Sequence, residues 1–177
     1  MTSPLGLETG VVRLVEYDAE WPALYRTESE RIVVALAPLV LNLEHMGSTA
    51  VPGLAAKPVL DILAGYRDRA LLQACIDGLC AAGYEHLGEQ GIPGREFFRR
   101  GQPPAYHLHL AALGGIFWRE HLAFRDLLRS DPLLRATYEA LKQELAGKFP
   151  QDRDAYIEAK GPFIQGALAR RAARGEA

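Results

Sequence analysis

The chain changes its hydrophobic pattern at Gly114-Gly115, and this change constrains the fold more than any other feature of the sequence. Before this point, most apolar segments are short, several of them alternate with polar residues, and Gly- and Pro-containing turns separate them, which predicts strands together with two helices. After it, the pattern is wholly helical. This order predicts an α+β fold: a mixed β-sheet with flanking helices and a carboxy-terminal helical portion.

Local patterns place the elements along the chain. Residues 1–10, rich in Thr, Ser, Pro and Gly, are predicted to form a flexible leader, and residues 11–177 a single domain. The sheet core is expected over about 11–112 and the last helices over about 115–174. Predicted strands span 11–17, 39–45, 58–65, 84–87, 95–100 and 105–110, and predicted helices span 22–37, 68–82, 117–130, 132–148 and 152–174.

Composition narrows the class of protein. The chain has 177 residues, 49% hydrophobic and 24% charged, which is ordinary for a globular domain. Its 20 Lys and Arg against 22 Asp and Glu give a net charge of −2 and no reason to expect a nucleic-acid coat. No apolar run approaches the roughly 20 residues of a membrane helix, and no signal peptide is indicated. Only Cys75 and Cys80 are present, so a cytoplasmic protein without a disulfide framework is expected.

Ionisable residues stand inside three otherwise apolar strands. Asp61 has aliphatic neighbours on both sides, and His107 and His109 share one face of a strand because they are two residues apart. Glu44 and His45 end a third strand. Singly, these features also fit a structural ion pair, a hydrogen-bonded histidine pair and a solvated glutamate. If the three strands are neighbours, the side chains converge on one pocket, which is then a candidate site.

A Gly47-Ser48-Thr49 turn follows the strand of Glu44. Glycine lets a backbone approach a ligand closely, and the following N–H groups and hydroxyls can hold an anion, although such turns are also common without a ligand. The spacing of a P-loop is absent. Cationic donors for a phosphate or a carboxylate, unless they are simply solvated, could be Lys57, Arg95, Arg99 and Arg100. The later helices carry a second polar set, which also fits amphipathic helices with a solvated face: His121, Arg125, Lys142 and Lys160.

Five segments resemble the signature of the GrpB family. The most specific segment runs from Glu44 to Ile62. The others are Phe97-Phe98-Arg99, His107-Leu108-His109-Leu110, Phe124-Arg125-Asp126 and Tyr156-Ile157-Glu158-Ala159-Lys160, so the resemblance covers roughly residues 12 to 166. It implies a fold similar to the nucleotidyltransferase superfamily. It also implies a connection with nucleotides or coenzyme A, because some GrpB-like domains are joined to dephospho-CoA kinase domains.

The resemblance to nucleotidyltransferases implies roles for individual residues. Gly47-Ser48 would hold the phosphates of a nucleotide, and Asp61 would be the first of two carboxylates that bind divalent metal ions. The position of the second carboxylate holds Leu63, and a single carboxylate rarely holds Mg²⁺ in two-metal geometry. Two alternatives follow. In the first, His107, His109 or Glu44 completes a site for a softer metal such as Mn²⁺ or Zn²⁺. In the second, the fold binds a ligand and does not catalyse a reaction.

The first functional hypothesis is a nucleotidyltransferase-like enzyme acting on a nucleotide or another phosphorylated small molecule. Asp61, His107 and His109 would be catalytic or metal-binding groups, with Glu44 as a further metal ligand. One alternative is a non-catalytic module that binds a nucleotide or a coenzyme A-like ligand. Another is a metal-dependent phosphoester hydrolase built on His107-x-His109, which predicts a bound transition metal. The cofactor of the site would be a divalent metal ion, Mg²⁺, Mn²⁺ or Zn²⁺. Phosphate-binding residues would be Gly47, Ser48, Thr49, Lys57, Arg99, Arg125 and Lys160.

Overall fold

A five-stranded mixed sheet forms the centre of the computed structural model, which describes residues 5–37, 39 and 42–175. The strand order is β1-β2-β5-β4-β3, in which β2 and β5 run parallel and the other neighbours run antiparallel. The prediction of an α+β fold with a mixed sheet is confirmed. The strands are β1 (Asn42–Met46), β2 (Leu60–Tyr66), β3 (Glu85–His86), β4 (Arg95–Arg100) and β5 (Tyr106–Ala112), and the helices are α1 (Trp21–Leu36), α2 (Leu72–Ala81), α3 (Ile116–Ser130), α4 (Pro132–Lys148) and α5 (Arg153–Ala173).

The two faces of the sheet pack against different helices because strand side chains alternate. On one face, Ile62 and Leu108 are fully buried against apolar residues of α1 and α2. On the other face, Leu63 is fully buried with Met46 and Trp118, so α3 covers this side. The second face carries the side chains of Asp61, His107 and His109, because Asp61 pairs with His107 in the register of β2 and β5.

The carboxy-terminal helices begin where their capping residues predict. The Asp131 side chain accepts a hydrogen bond from the Leu134 amide at 2.9 Å, and Pro132 occupies the first turn of α4. The Asp152 side chain accepts from the Ala155 amide at 3.0 Å in the same way. The sequence predicts a bend near Gly161-Pro162, and the structure has one continuous helix, α5, through Pro162. None of the described helices combines the length and apolar character needed to cross a bilayer.

The amino-terminal segment differs from its prediction. Between residues 11 and 17, only Val15 forms a β-bridge, to Ala56. Val15 and Tyr17 pack around Trp21, and Val12 packs with residues of α4 and α5, so the segment does not join an edge of the sheet. The described part of the predicted leader is also held in place. Gly6 and Leu7 donate backbone hydrogen bonds to the carbonyls of Pro58 and Pro104. In the predicted strand 39–45, residues 40 and 41 lie outside the described residues.

Candidate functional site

Asp61 lies between two histidines on the sheet face that α3 covers. Its Oδ1 atom is 3.4 Å from His107 Nδ1 and 3.6 Å from His109 Nε2. Burial opposes ionisation of Asp61, but the interactions with both imidazoles outweigh burial and hold the pKa of this carboxyl well below its usual value. Asp61 is therefore a carboxylate anion, and the structure brings together three of the predicted site residues.

Arg95 decides which nitrogen of His109 carries a proton. Arg95 Nη1 is 3.3 Å from His109 Nδ1, and a guanidinium can only donate, so Nδ1 is the acceptor. Burial lowers the pKa of His109 to about 4, which makes the ring neutral at neutral pH. A neutral ring that accepts at Nδ1 carries its proton on Nε2. This N–H is the one that faces Asp61.

The donor atoms around Asp61 do not match the two-metal site of the nucleotidyltransferase superfamily. Leu63, where the second carboxylate would stand, is fully buried among apolar side chains. Glu44, on the neighbouring strand β1, is paired with Arg125 at 2.7 Å. His109 Nε2 carries a proton and lacks the free lone pair that a metal ligand needs. Within residues 5–37, 39 and 42–175, no three His, Cys, Asp or Glu side chains are grouped to hold a metal ion.

The Gly47-Ser48-Thr49 turn packs directly on Asp61. Gly47 has a φ of +72°, and a Cβ atom there would lie 2.6 Å from Asp61 Oδ2. Thr49 is buried and its hydroxyl contacts His45 Nε2 at 3.0 Å, in the core rather than in the site. Ser48 is the hydroxyl of this turn that remains beside the cationic side chains of the helices.

Three lysines from separate parts of the chain lie near one another, and two of them, Lys57 and Lys160, also lie near Asp61. Lys142, which α4 buries, donates from Nζ to Ser48 Oγ at 3.2 Å and also to the Ala55 carbonyl. The amines of Lys57 and Lys160 lie over the ring of Tyr156, at 6.0 and 4.4 Å from its centroid. We call Lys57, Lys142 and Lys160 the lysine cluster.

The lysine cluster is short of negative charge. Burial, together with the positive charge of neighbouring amines, lowers the pKa of Lys142 and of Lys160 to about 7. Burial also lowers the pKa of Lys57. The carboxylates of Asp61 and Glu139 oppose these shifts, but among the described residues no carboxylate forms a salt bridge with the cluster. Such a site gains by binding an anion, because an anion restores the charged form of each amine.

The two predicted phosphate-binding arginines are already paired. Arg99 forms a two-point hydrogen bond with Glu85, at 2.5 and 3.1 Å, at the far edge of the sheet. Arg125 donates to Glu44 and to the carbonyl of His45, and also contacts Asp126. Arg125 therefore links α3 to β1 in this structure.

The sequence indicates Arg95 only as one of several possible cationic donors and Lys142 only as part of a polar set, and neither was among the predicted site residues. Lys142 occupies the buried stripe of α4 that also contains Tyr138 and Leu145. A lysine inside an apolar stripe of helical spacing is a signal that could have identified it, because burial of an unpaired charge is unfavourable. Arg95 is buried on β4, and its contact with His109 could not be foreseen without the register of β4 and β5.

Curated proteins similar to this chain include one of nearly the same length and others about twice as long. The "Glutamate-rich protein GrpB" of Alkalihalophilus pseudofirmus is 34% identical over 170 residues, which are 93% of this chain and 98% of that protein. "UPF0157 protein YqkA" of Bacillus subtilis is 33% identical over 157 residues. A "Dephospho-CoA kinase" of Mycolicibacterium paratuberculosis is 32% identical over 185 residues. The last two matches include 88% and 90% of this chain, respectively. The chain spans 46% of the length of each of those two proteins.

Solved structures agree with this relationship. The crystal structure of "conserved protein GrpB from Enterococcus faecalis" superposes with a TM-score of 0.80 and 32% identity, and covers 89% of this chain and 96% of that one. The GTP-bound Cid1 poly(U) polymerase superposes with a TM-score of 0.53 and 14% identity, over 75% of this chain and 44% of that one, which shows a nucleotidyltransferase-like fold. The GrpB protein family matches residues 11–170, and the chain belongs to this family.

Proposed function

We propose that this chain binds a nucleotide or another phosphorylated small molecule, with the phosphate groups against Ser48 and the lysine cluster. The single observation that carries the proposal is the grouping of Lys57, Lys142 and Lys160, one of which contacts Ser48, without a carboxylate in salt-bridge contact among the described residues. Lysine amines and a serine hydroxyl are common phosphate donors in proteins. The nucleotidyltransferase-like fold and the similarity to dephospho-CoA kinases support a nucleotide or a coenzyme A-like molecule as the ligand.

Within this proposal, Asp61 and His107 supply an acid–base pair beside the bound phosphates. The Asp61 anion orients His107 through Nδ1, which is the arrangement that general acid–base catalysis needs. The chain is then a nucleotidyltransferase-like enzyme that acts in the cytoplasm, where its free thiols Cys75 and Cys80 stay reduced.

A second candidate function is binding without turnover. Leu63 favours this candidate, because a buried leucine cannot supply the second metal-binding carboxylate. The hydrolase that needs a transition metal on His107 and His109 has less support, since Arg95 leaves His109 Nε2 protonated toward Asp61. A divalent ion brought by the nucleotide's own phosphates remains compatible with both candidates.

Calorimetric titration with ATP, GTP, UTP and coenzyme A, with and without Mg²⁺ or Mn²⁺, tests the proposal. We expect at least one ligand to bind the wild type, and Lys160→Met to weaken binding about ten-fold, which corresponds to about 1.4 kcal/mol. Lys148→Met is the matched control, because Lys148 is an exposed lysine at the end of α4. Absence of binding to every ligand, or equal loss in both variants, would overturn the proposal.

Product analysis with Asp61→Asn separates the two candidates. Asparagine keeps the shape of the side chain beside Gly47 and removes its negative charge. Nucleotide turnover by the wild type that Asp61→Asn abolishes, with binding retained, supports the transferase. Ligand binding without turnover by the wild type supports the binding module.

A further inference from the structure

A cavity lies next to the proposed phosphate site and shares Lys57 and His107 with it. It has a volume of about 100 Å³, and we call it the edge cavity. A single buried water needs only about 10–15 Å³ measured in this way, so the edge cavity has room for a molecule of several non-hydrogen atoms. Residues that line the edge cavity include Thr9, Lys57, Leu87, Phe97, His107 and Arg153.

The walls of the edge cavity are held in place by hydrogen bonds of the described residues. On one side, the Thr9 hydroxyl accepts from Arg99 Nη1 at 3.3 Å. On the other side, Arg95 donates to the carbonyls of Glu89 and Gln90, while its second Nη contacts His109. Gln90, a further lining residue, has a φ of +46°, which non-glycine residues adopt rarely and often near functional sites.

The edge cavity is cationic on one side and apolar on another. Arg99 is neutralised by Glu85, but Lys57 has no salt bridge among the described residues. Arg153 has only a contact of 3.8 Å with Asp154, whose side chain is 94% exposed, so solvent screens this pair. Phe97 and Leu87 supply apolar surface in the same lining. Glu8, which also lines the cavity, is exposed.

His107 adds a hydrogen-bond acceptor to this lining. The Asp61 anion can only accept, so its contact at 3.4 Å is made with a proton on His107 Nδ1. When the ring carries this proton alone, the other ring nitrogen, Nε2, has a free lone pair. The side chain of His107 is 14% exposed to solvent, and its ring forms part of the cavity wall.

We infer that the edge cavity binds a small organic anion that carries a hydroxyl group, such as a short hydroxy acid or a hydroxyalkyl phosphate. Its anionic group contacts Lys57 and Arg153, its aliphatic part packs on Leu87 and Phe97, and its hydroxyl donates to His107 Nε2. This ligand is separate from the one that the lysine cluster binds. The inference can therefore be tested separately from the proposed function, although the two sites share Lys57 and His107.

Titrations followed by NMR of the histidine rings test this inference. The probes are short hydroxy acids and hydroxyalkyl phosphates, each compared with the same anion without its hydroxyl and with an uncharged diol. We expect the His107 ring signals to shift, and the hydroxylated anion to bind about ten-fold more tightly than either comparison compound. Failure of every hydroxylated anion to move the His107 signals would overturn the inference.

Variants locate the binding. Arg153→Gln is expected to weaken the hydroxylated anion about ten-fold, whereas Arg170→Gln, an exposed position of the same helix, leaves it unchanged. Leu87→Trp fills the edge cavity and is expected to abolish binding, with its fold checked by circular dichroism. If Leu87→Trp does not fold, Arg153→Gln against Arg170→Gln decides the question. Equal affinities for Arg153→Gln and the wild type would contradict the inference.

Lys160→Met separates the two sites. It is expected to lose nucleotide binding and to keep the His107 shift with the hydroxylated anion. Loss of both would assign the anion to the lysine cluster and overturn the inference. Nucleotide binding that fails in the wild type while the anion still shifts His107 would overturn the proposed function alone.

Discussion

Gly47 illustrates how single residues shape the site. Its backbone is in the left-handed region, and its α-carbon faces Asp61 so closely that no other side chain fits. The contact keeps the Gly47-Ser48 turn against the carboxylate that His107 and His109 hold ionised. Ser48 is thereby placed beside Lys142.

Gly47→Ala is expected to destabilise the protein more than Gly53→Ala. Both positions have similar φ values, +72° and +77°, but a Cβ at Gly53 would meet nothing within 4 Å. Gly53→Ala should therefore report the backbone strain alone, about 1 kcal/mol. Gly47→Ala adds the clash with Asp61 and should lose at least about 2 kcal/mol in total. Urea unfolding measures both, and equal losses would show that the contact with Asp61 is unimportant.

At the scale of elements, α1 and β4 are joined by a buried carboxylate. Glu28 of α1 accepts from the Tyr84 hydroxyl at 2.5 Å and from Arg100 of β4 through both carboxylate oxygens. Only 3% of Glu28 is exposed, and the Arg100 guanidinium also lies over the ring of Tyr106. This network sits on the sheet face opposite the candidate site and holds α1 on the sheet.

Glu28→Ala is expected to lower the free energy of unfolding by about 3 kcal/mol, because it leaves Arg100 and the Tyr84 hydroxyl without their partner. Glu30→Ala is the control, since Glu30 is exposed on the same helix and should change stability by less than about 0.5 kcal/mol. Chemical unfolding of both variants gives the comparison. A loss for Glu28→Ala as small as that of the control would mean that the network does not support the fold.

At the scale of the whole molecule, a net charge of −2 conceals a cationic site. The acidic side chains of the surface balance the sum, whereas Lys57, Lys142 and Lys160 are concentrated between the sheet and the last helices. Folding therefore brings like charges together and buries them at this site, which is unfavourable. We expect this unfavourable contribution to make the free energy of unfolding depend on pH.

Lys160→Met should stabilise the protein more at acidic than at alkaline pH. The folded state lowers the pKa of Lys160 to about 7 from the usual 10.5, so the unfolded chain binds the proton more strongly between these values. The unfavourable contribution of Lys160 is fully present below about pH 7 and declines as the pH rises toward 10.5, by at most about 1.4 kcal/mol per pH unit. Urea unfolding of the variant and the wild type across this range measures the difference. A gain that does not change with pH would contradict the lowered pKa.

Local sequence patterns were sufficient for most of the elements. β4 has the predicted bounds, α4 begins at Pro132 after the Asp131 cap, and Cys75 is buried while Cys80 is exposed, as their spacing indicates. The segment 11–17 was the exception, because a β-branched stretch forms a strand only where a sheet edge is available to it. The three strands that carry Asp61, His107 and Glu44 are neighbours, as the site hypothesis required.

The sequence by itself determined the elements, the family and the set of chemical groups, because periodicity, caps and motifs depend on residues close together in the chain. Only the tertiary structure decided which charges are paired. Arg125 forms a hydrogen bond with Glu44, 81 residues away in the sequence, and Lys142 forms one with Ser48, 94 residues away. The charge that a side chain offers to a ligand depends on its burial and on such distant partners, so the same sequence pattern left Arg125 neutralised and the lysine cluster open to an anion.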